Sequence, residues 1–206
     1  TPITFVATSN AALLCDAKID FVDVDIEDGL IDITKLKKKI ENAKYEKRLP
    51  KILTIVHLYG NTPDLRKIKE ICDENNIKIV EDASHALGTY SQSVQVGSCT
   101  YSDACIFSFH PVKIITTAEG GCVTTNNREL AEKIKLLRSH GITKNNVNFI
   151  YKRSEPWYYE QQELGFNFRL TDLQSSLGIS QLKRIDTFIN KRRQIIKNYK
   201  EKLKNL

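Results

Sequence analysis

Between Lys51 and Asp82 the chain reads KILTIVHLYGNTPDLRKIKEICDENNIKIVED: two short β-branched apolar runs with an amphipathic run between them. Lys51-Ile52-Leu53-Thr54-Ile55-Val56-His57 is a buried strand. Leu65, Ile68, Ile71 and Cys72 recur at helical spacing behind Pro63, which is expected in the first turn of a helix. Ile77-Lys78-Ile79-Val80-Glu81-Asp82 is a strand again. Strand, helix and strand at this spacing make a βαβ unit, and hence a parallel pair with its crossover helix on one face.

The same alternation continues outward. Upstream, Ile19-Asp20-Phe21-Val22-Asp23-Val24-Asp25 alternates as a strand, and Thr34 is expected to cap a helix reaching about Asn42, with Leu36 and Ile40 on one face. Downstream, Ala104–Phe109 and Gly121–Thr125 read as two strands close enough to pair like a hairpin. Asn127 opens a helix to about Ser139, and residues 141–165 read as a long loop. Thr171 begins a helix with a Leu173/Leu177 face, and a highly charged helix runs from about Leu182 to the end. The expected fold class is α/β, a mostly parallel sheet with helices on both faces.

Bulk composition narrows the function classes. With 206 residues, 41% apolar and 27% charged, one substantial core is expected. Thirty-one Lys and Arg against 25 Asp and Glu leave a net charge of +6. The densest positive stretches, Lys35–Lys39 and Lys183–Lys204, carry helical periodicity and read as solvated faces, so no nucleic-acid partner is expected. No apolar run reaches the ~18–20 residues of a membrane span, and no leader pattern opens the sequence. The expected compartment is the cytoplasm. The five cysteines form no C-x-x-C pair, and the histidines form no H-x-x-H or H-x-x-x-H pair, so neither a disulfide framework nor a metal is expected. The absence of Met and the start at Thr1-Pro2-Ile3-Thr4-Phe5 read as a piece of a longer chain.

In parallel α/β sheets, ligands gather at the carboxyl ends of strands. Three such ends are unusually polar here: His57-Leu58-Tyr59-Gly60, Glu81-Asp82-Ala83-Ser84-His85 and Ser108-Phe109-His110-Pro111-Val112-Lys113. An acid, a hydroxyl, imidazoles and a lysine at one edge suit a phosphorylated heteroaromatic cofactor. The acid would face a ring nitrogen, the hydroxyl would bond phosphate and the lysine would bond the carbonyl carbon.

On these residues the chain resembles the DegT/StrS family of pyridoxal-phosphate sugar aminotransferases. The resemblance rests on Glu81–Gly88, Phe107–Lys113 and Ala118-Glu119-Gly120-Gly121. Thr4–Thr8, Val56–Gly60, Arg138–Gly141 and Gly165–Leu170 follow in the family's order, so it covers nearly the whole chain. Thr116–Gly121, Trp157–Gln161 and Leu177–Lys183 resemble the pseudaminic-acid branch. Its members aminate C4 of a UDP-linked 4-keto-6-deoxy-N-acetylhexosamine, with L-glutamate as donor.

The resemblance implies a role for each matching residue. Lys113 would be catalytic, bonding the cofactor and then moving a proton between cofactor and substrate carbons. Asp82 would pair with the pyridine nitrogen; without the other motifs it would read as a strand-end acid capping a helix. His85 would meet the ring hydroxyl where many members have Gln, and Ser108 would bond the phosphate. Phe5 would stack on the ring, or serve as an ordinary core Phe. Asn167 would reach a neighbour's phosphate across a homodimer interface, or act as a turn Asn. His57, Tyr59, His110 and His140 fall near the site without an assigned role. Arg169 would hold a carboxylate or, as the preferred reading, anchor its loop.

The implied architecture is a fold-type-I aminotransferase large domain truncated at both ends. Residues 1–181 would be its central part, and residues 182–206 a charged helix leading towards a small C-terminal domain. The chain alone is then expected to retain cofactor weakly or not at all and to turn over nothing, while the longer parent is expected to be active. A non-catalytic relative with a regulatory or interaction role, and a C3 rather than C4 keto-sugar aminotransferase, are the alternatives.

Overall fold

The two apolar runs of 51–82 lie side by side in a computed structural model that describes residues 1–153 and 155–204. From the amino end the elements are α1 (Ala7–Leu13), α2 (Ile33–Tyr45), β1 (Ile52–Val56), α3 (Leu65–Glu74) and β2 (Lys78–Asp82). A small ribbon follows, β3 (Tyr90–Ser91) with β4 (Val94–Gln95), then β5 (Ala104–Ser108), β6 (Gly121–Thr124) and α4 (Arg128–Leu137). The carboxyl part holds β7 (Ile142–Thr143), β8 (Glu160–Gln161), α5 (Asp172–Leu182) and α6 (Ile185–Lys202). The main sheet has the order β1-β2-β5-β6. β1, β2 and β5 are parallel, and β6 turns back antiparallel on β5, so the expected hairpin-like pair forms.

Side-chain alternation divides the sheet into two faces. Ile55, Ile79 and Glu81 share a face, and α2 and α3 lay Leu36, Ile40, Leu65, Ile68, Ile71 and Cys72 over its β1–β2 half to make the main core. Ala83, Ala86, Val96 and Cys99 pack over Cys105 and Phe107 in its other half. The opposite face carries Asp82 and Ile106 in register; Ile106 is 39% exposed and its β6 neighbour Val123 40%.

Several local expectations are corrected. Ile19–Asp25 joins no sheet: it is extended, with a single antiparallel bridge from Val24 to Ile31. Ile19 and Phe21 stay 38% and 44% exposed, so the alternation finds no second surface to bury against. Asp20 and Asp23 instead bind the Lys39 and Lys35 ammonium groups at 2.7 and 2.8 Å. The cap of α2 is Asp32, whose carboxylate accepts from the amides of Thr34 and Lys35. Asp64 caps α3 by accepting from the Lys67 amide, which leaves Pro63 ahead of the helix rather than in its first turn. Asn127 and Thr171 cap α4 and α5 as expected, Thr171 with a reciprocal bond from Gln174. The charged carboxyl-terminal run is helical only from Ile185, and its last two positions, 205 and 206, lie outside the described residues, as does position 154 in the long loop. α1 was not anticipated. Among the described residues no helix is long and apolar enough to cross a membrane.

Candidate functional site

A parallel sheet lines up the carboxyl ends of its strands, and here Val56, Asp82 and Ser108 end β1, β2 and β5. β6 runs the other way, so its first residue, Gly121, pairs with Ser108 at that same edge. Topology alone therefore gathers the His57–Gly60 turn, the Asp82–His85 segment and the loop joining β5 to β6.

Asp82 is held on three sides. Its Oδ2 accepts from the Thr8 hydroxyl of α1 at 2.6 Å. Its Oδ1 accepts from the Ser84 hydroxyl at 2.6 Å and the Ser84 amide at 3.2 Å. Its main-chain oxygen accepts from the His57 amide at 3.0 Å. The Thr8 bond also brings the start of α1 to the edge, with Phe5 one turn earlier and 74% exposed, so Phe5 is not a core residue.

His85 lies against Tyr59. Its Nδ1 accepts from the Tyr59 amide at 3.3 Å, and the two rings are parallel within 8° at 5.9 Å between centroids. Burial, and then the charge of Lys113, hold the imidazole pKa below its ordinary value, with Asp82 opposing. The imidazole of His85 thus lies within electrostatic reach of both Lys113 and Asp82.

Lys113 sits on the β5–β6 loop. The loop is closed at its base by Phe109 N–H to Gly120 O at 2.8 Å and Thr117 N–H to Phe109 O at 2.9 Å. The Lys113 amide donates to His110 O at 2.9 Å, and its own carbonyl accepts from the Arg192 guanidinium of α6 at 3.3 Å. Thr117 is buried, donates to Glu119 O at 2.8 Å and packs against Gly178 of α5. Gln174 of α5 donates to the same Glu119 carbonyl at 3.0 Å. Two carboxyl-terminal helices therefore brace the lysine loop. The Lys113 Nζ makes no hydrogen bond or ion pair with any described residue. Among the described residues Ser108 Oγ accepts only a long, 3.4 Å bond from the His110 amide and donates to none, which leaves its own proton available.

The contacts of Asn167 are made with other residues. Its backbone bridges Ser139, and its side chain accepts from Arg169 Nε at 3.0 Å. Arg169 thus anchors its own loop. His57 is fully buried, with Nε2 2.7 Å from Glu81 Oε2, while Ser102 Oγ donates to Glu81 Oε1 at 2.5 Å. His140 has a left-handed backbone, and its amide donates to Phe166 O at 2.7 Å. His110 is exposed, with Nε2 3.8 Å from Glu119. Among the described residues no group of three His, Cys, Asp or Glu could hold a metal ion.

Thr8, Ser84, Thr117 and Arg192 were missed as supporting residues. Thr8 and Ser84 lie inside motifs already quoted, so a polar side chain next to a singled-out one was the available signal. For Arg192, 79 residues from Lys113, no local signal exists.

The model of the DegT/DnrJ/EryC1/StrS aminotransferase family matches residues 1–206. A UDP-4-amino-4,6-dideoxy-N-acetyl-beta-L-altrosamine transaminase of Campylobacter jejuni is 45% identical over 199 residues, 97% of this chain and 49% of that protein. Helicobacter pylori PseC, an aminotransferase involved in the biosynthesis of pseudoaminic acid, superposes with a TM-score of 0.88 at 36% identity, over 100% of this chain and 51% of that one. Spr1654 of Streptococcus pneumoniae in its PMP form gives a TM-score of 0.80 at 25% identity, over 96% of this chain and 52% of that one. The chain spans about half the length of the curated relatives it matches.

Proposed function

Because the chain belongs to the DegT/DnrJ/EryC1/StrS aminotransferase family, we propose that the full-length gene product transfers an amino group from L-glutamate, through pyridoxal phosphate, to the C4 ketone of a UDP-linked 4-keto-6-deoxy-N-acetylhexosamine. The observation that carries this reading is the convergence of Asp82, His85, Ser108 and Lys113 at one sheet edge. The C. jejuni relative's activity on a UDP-linked sugar supports the choice of substrate.

Pyridoxal phosphate is the cofactor, and the side chains present fit it. The Lys113 amine has no hydrogen-bond or ion-pair partner among the described residues. Each Asp82 oxygen, though bonded, keeps a lone pair for a ring N–H. The Ser108 hydroxyl has its proton free for a phosphate oxygen. When bound, the cofactor supplies an electron sink for the carbon that loses its proton. Lys113 takes that proton as a base and returns it as an acid. Asp82 holds a positive charge on the ring nitrogen, and Thr8 and Ser84 keep its carboxylate from rotating away. His85 donates to the ring oxygen. Phe5, exposed beside Thr8, covers one face of the ring.

In this reading residues 1–181 belong to the cofactor-binding large domain, and residues 182–206 lead towards a small domain. The enzyme works in the cytoplasm as a homodimer. Asn167 serves the partner subunit's phosphate.

The test supplies the full-length gene product with pyridoxal phosphate, L-glutamate and a panel of UDP- and dTDP-linked 4-keto and 3-keto sugars. Amino sugar is read by mass spectrometry. A product aminated at C4 of the UDP sugar, abolished by Lys113→Ala, is expected. Multiple turnovers by Lys113→Ala, or amination only at C3, would refute the assignment. Mixing Lys113→Ala with Asn167→Ala subunits should restore about a quarter to a half of activity if sites are shared across a symmetric dimer.

A further inference from the structure

His85 needs more than a place in the site, because an imidazole can present either a donor or an acceptor to a ligand. The chain around Tyr59 settles which. His57 leaves β1 from a fixed point: its ring is buried against Glu81, and its amide is spent on Asp82 O. The next residues make one tight turn, closed by Gly60 N–H to His57 O at 3.1 Å and Asn61 N–H to Leu58 O at 3.0 Å. Within it Tyr59 takes a φ of +53°, a left-handed conformation that is unfavourable for a non-glycine residue. That backbone aims the Tyr59 N–H at His85 Nδ1, and the Tyr59 ring lies parallel to the imidazole.

A ring nitrogen that accepts an N–H carries no proton, so the neutral ring must carry its proton on Nε2. The other tautomer, and the imidazolium, would each set two N–H groups head to head at 3.3 Å. Nothing among the described residues hydrogen-bonds Nε2. We propose that Tyr59 is a positioning residue whose main-chain N–H fixes His85 as the neutral Nε2–H ring, a donor aimed at an anionic ligand oxygen. With the site read as above, that oxygen is the cofactor's ionised ring hydroxyl. The charged groups facing the imidazole are Lys113 and Asp82, and burial with the Lys113 ammonium favours the same neutral form.

The first test needs no ligand. Long-range proton–nitrogen correlation spectra of the 15N-labelled protein at neutral pH, with the His85 signals identified by their loss in His85→Gln, report the tautomer. An unprotonated Nδ1 and a protonated Nε2 are expected. A protonated Nδ1, an averaged pair or an imidazolium would overturn the proposal. Tyr59→Ala keeps the amide and should keep the tautomer; losing it there would assign the effect to the phenol ring and overturn the role of the amide.

The second test titrates pyridoxal phosphate into His85→Gln, which places an N–H within reach of the Nε2 position, and His85→Asn, which reaches only the Nδ1 position. Binding to His85→Asn about tenfold or more weaker is expected, the worth of one hydrogen bond to a charged group. Equal binding overturns the donor role. Both titrations use the full-length gene product; a full-length wild-type protein with the expected tautomer that binds no pyridoxal phosphate would refute the proposed function while leaving the Tyr59–His85 assignment in place, so the two failures are distinguishable.

Discussion

Replacing His57 by alanine should be among the most destabilising single changes in this chain. Its ring is 0% exposed, and Nε2 lies 2.7 Å from the carboxylate of Glu81, itself 2% exposed. Truncation leaves a ring-sized void and deprives a buried carboxylate of one of the two side-chain partners it has among the described residues, the other being Ser102. Breaking one side of a buried, hydrogen-bonded pair costs about 3–5 kcal/mol, and the void is part of that figure rather than an addition to it. Against a total stability of about 5–15 kcal/mol, this removes a large share. At about 2–4 °C per kcal/mol for a chain of this size, the melting temperature should fall by about 6–20 °C.

Circular dichroism melts and urea titrations read the effect directly. His57→Gln, which can still donate to Glu81, should lose less than half as much. The double variant His57→Leu/Glu81→Leu removes both polar partners and leaves only the Ser102 hydroxyl unpaired. It should therefore be less destabilised than the sum of its two single variants by about 1 kcal/mol or more. A His57→Ala loss under about 1 kcal/mol, or strict additivity in the cycle, would refute the view that this pair is a tightly coupled unit beneath Asp82.

Three further outcomes follow from other parts of the molecule. A Cβ on Gly120 would stand 2.4 Å from Thr117 Oγ1 and 2.7 Å from Leu170 Cδ2 at a φ of +156°, so Gly120→Ala should cost about 1–3 kcal/mol in urea unfolding. It should also loosen the Lys113 loop, read as faster proteolysis between Phe109 and Gly121; unchanged stability would mean that the loop base repacks freely. Since the folded pKa of His85 lies below its ordinary 6.5, the unfolded chain binds the proton more readily. Stability from this group is complete above pH 6.5 and is lost as pH falls from there towards the folded pKa. The urea midpoint of His85→Gln should decline less over that window than the wild-type midpoint; parallel declines would count against the depressed pKa. Cys72 is buried with its thiol pushed up to about 11, and burial also raises Cys105, whereas Cys15 is exposed. An aromatic disulfide reagent should label Cys15 first, Cys122 more slowly because, though exposed, its thiol pKa is raised by partial desolvation, and Cys72, Cys99 and Cys105 only on unfolding. Rapid native labelling of Cys105 would contradict the packing of β5.

Much of the fold was legible in the sequence because its signals are local. The apolar runs at 52–56 and 78–82 and the helical spacing of Leu65, Ile68, Ile71 and Cys72 each carry their own periodicity. Asn127 and Thr171 announced their helices through side chains that bond amides three residues on. Ile19–Asp25 misled for the complementary reason: alternation makes a strand only where a neighbour offers a ladder and a surface to bury against, and here Asp20 and Asp23 bind lysines of α2 instead. The expected cap Thr34 stands two residues beyond the true cap Asp32, and Pro63, expected in the first turn, precedes the cap Asp64; Ser, Thr, Asp and Pro compete on that scale at a helix start.

Local pattern in the sequence is enough to name the chemical groups that the proposed site would use. Asp82, His85, Ser108 and Lys113 stand at the ends of apolar runs, and strand direction carries such ends to one edge of a parallel sheet. It could not determine how those groups are held or in what state they act, because the partners that decide this lie far away along the chain. Thr8 reaches Asp82 across 74 residues, Arg192 reaches the Lys113 carbonyl across 79, and Tyr59 reaches His85 across 26. A periodic pattern reports what a residue does with neighbours a turn or a strand-step away; hydrogen-bond direction and tautomer are set by atoms that only the folded chain brings together.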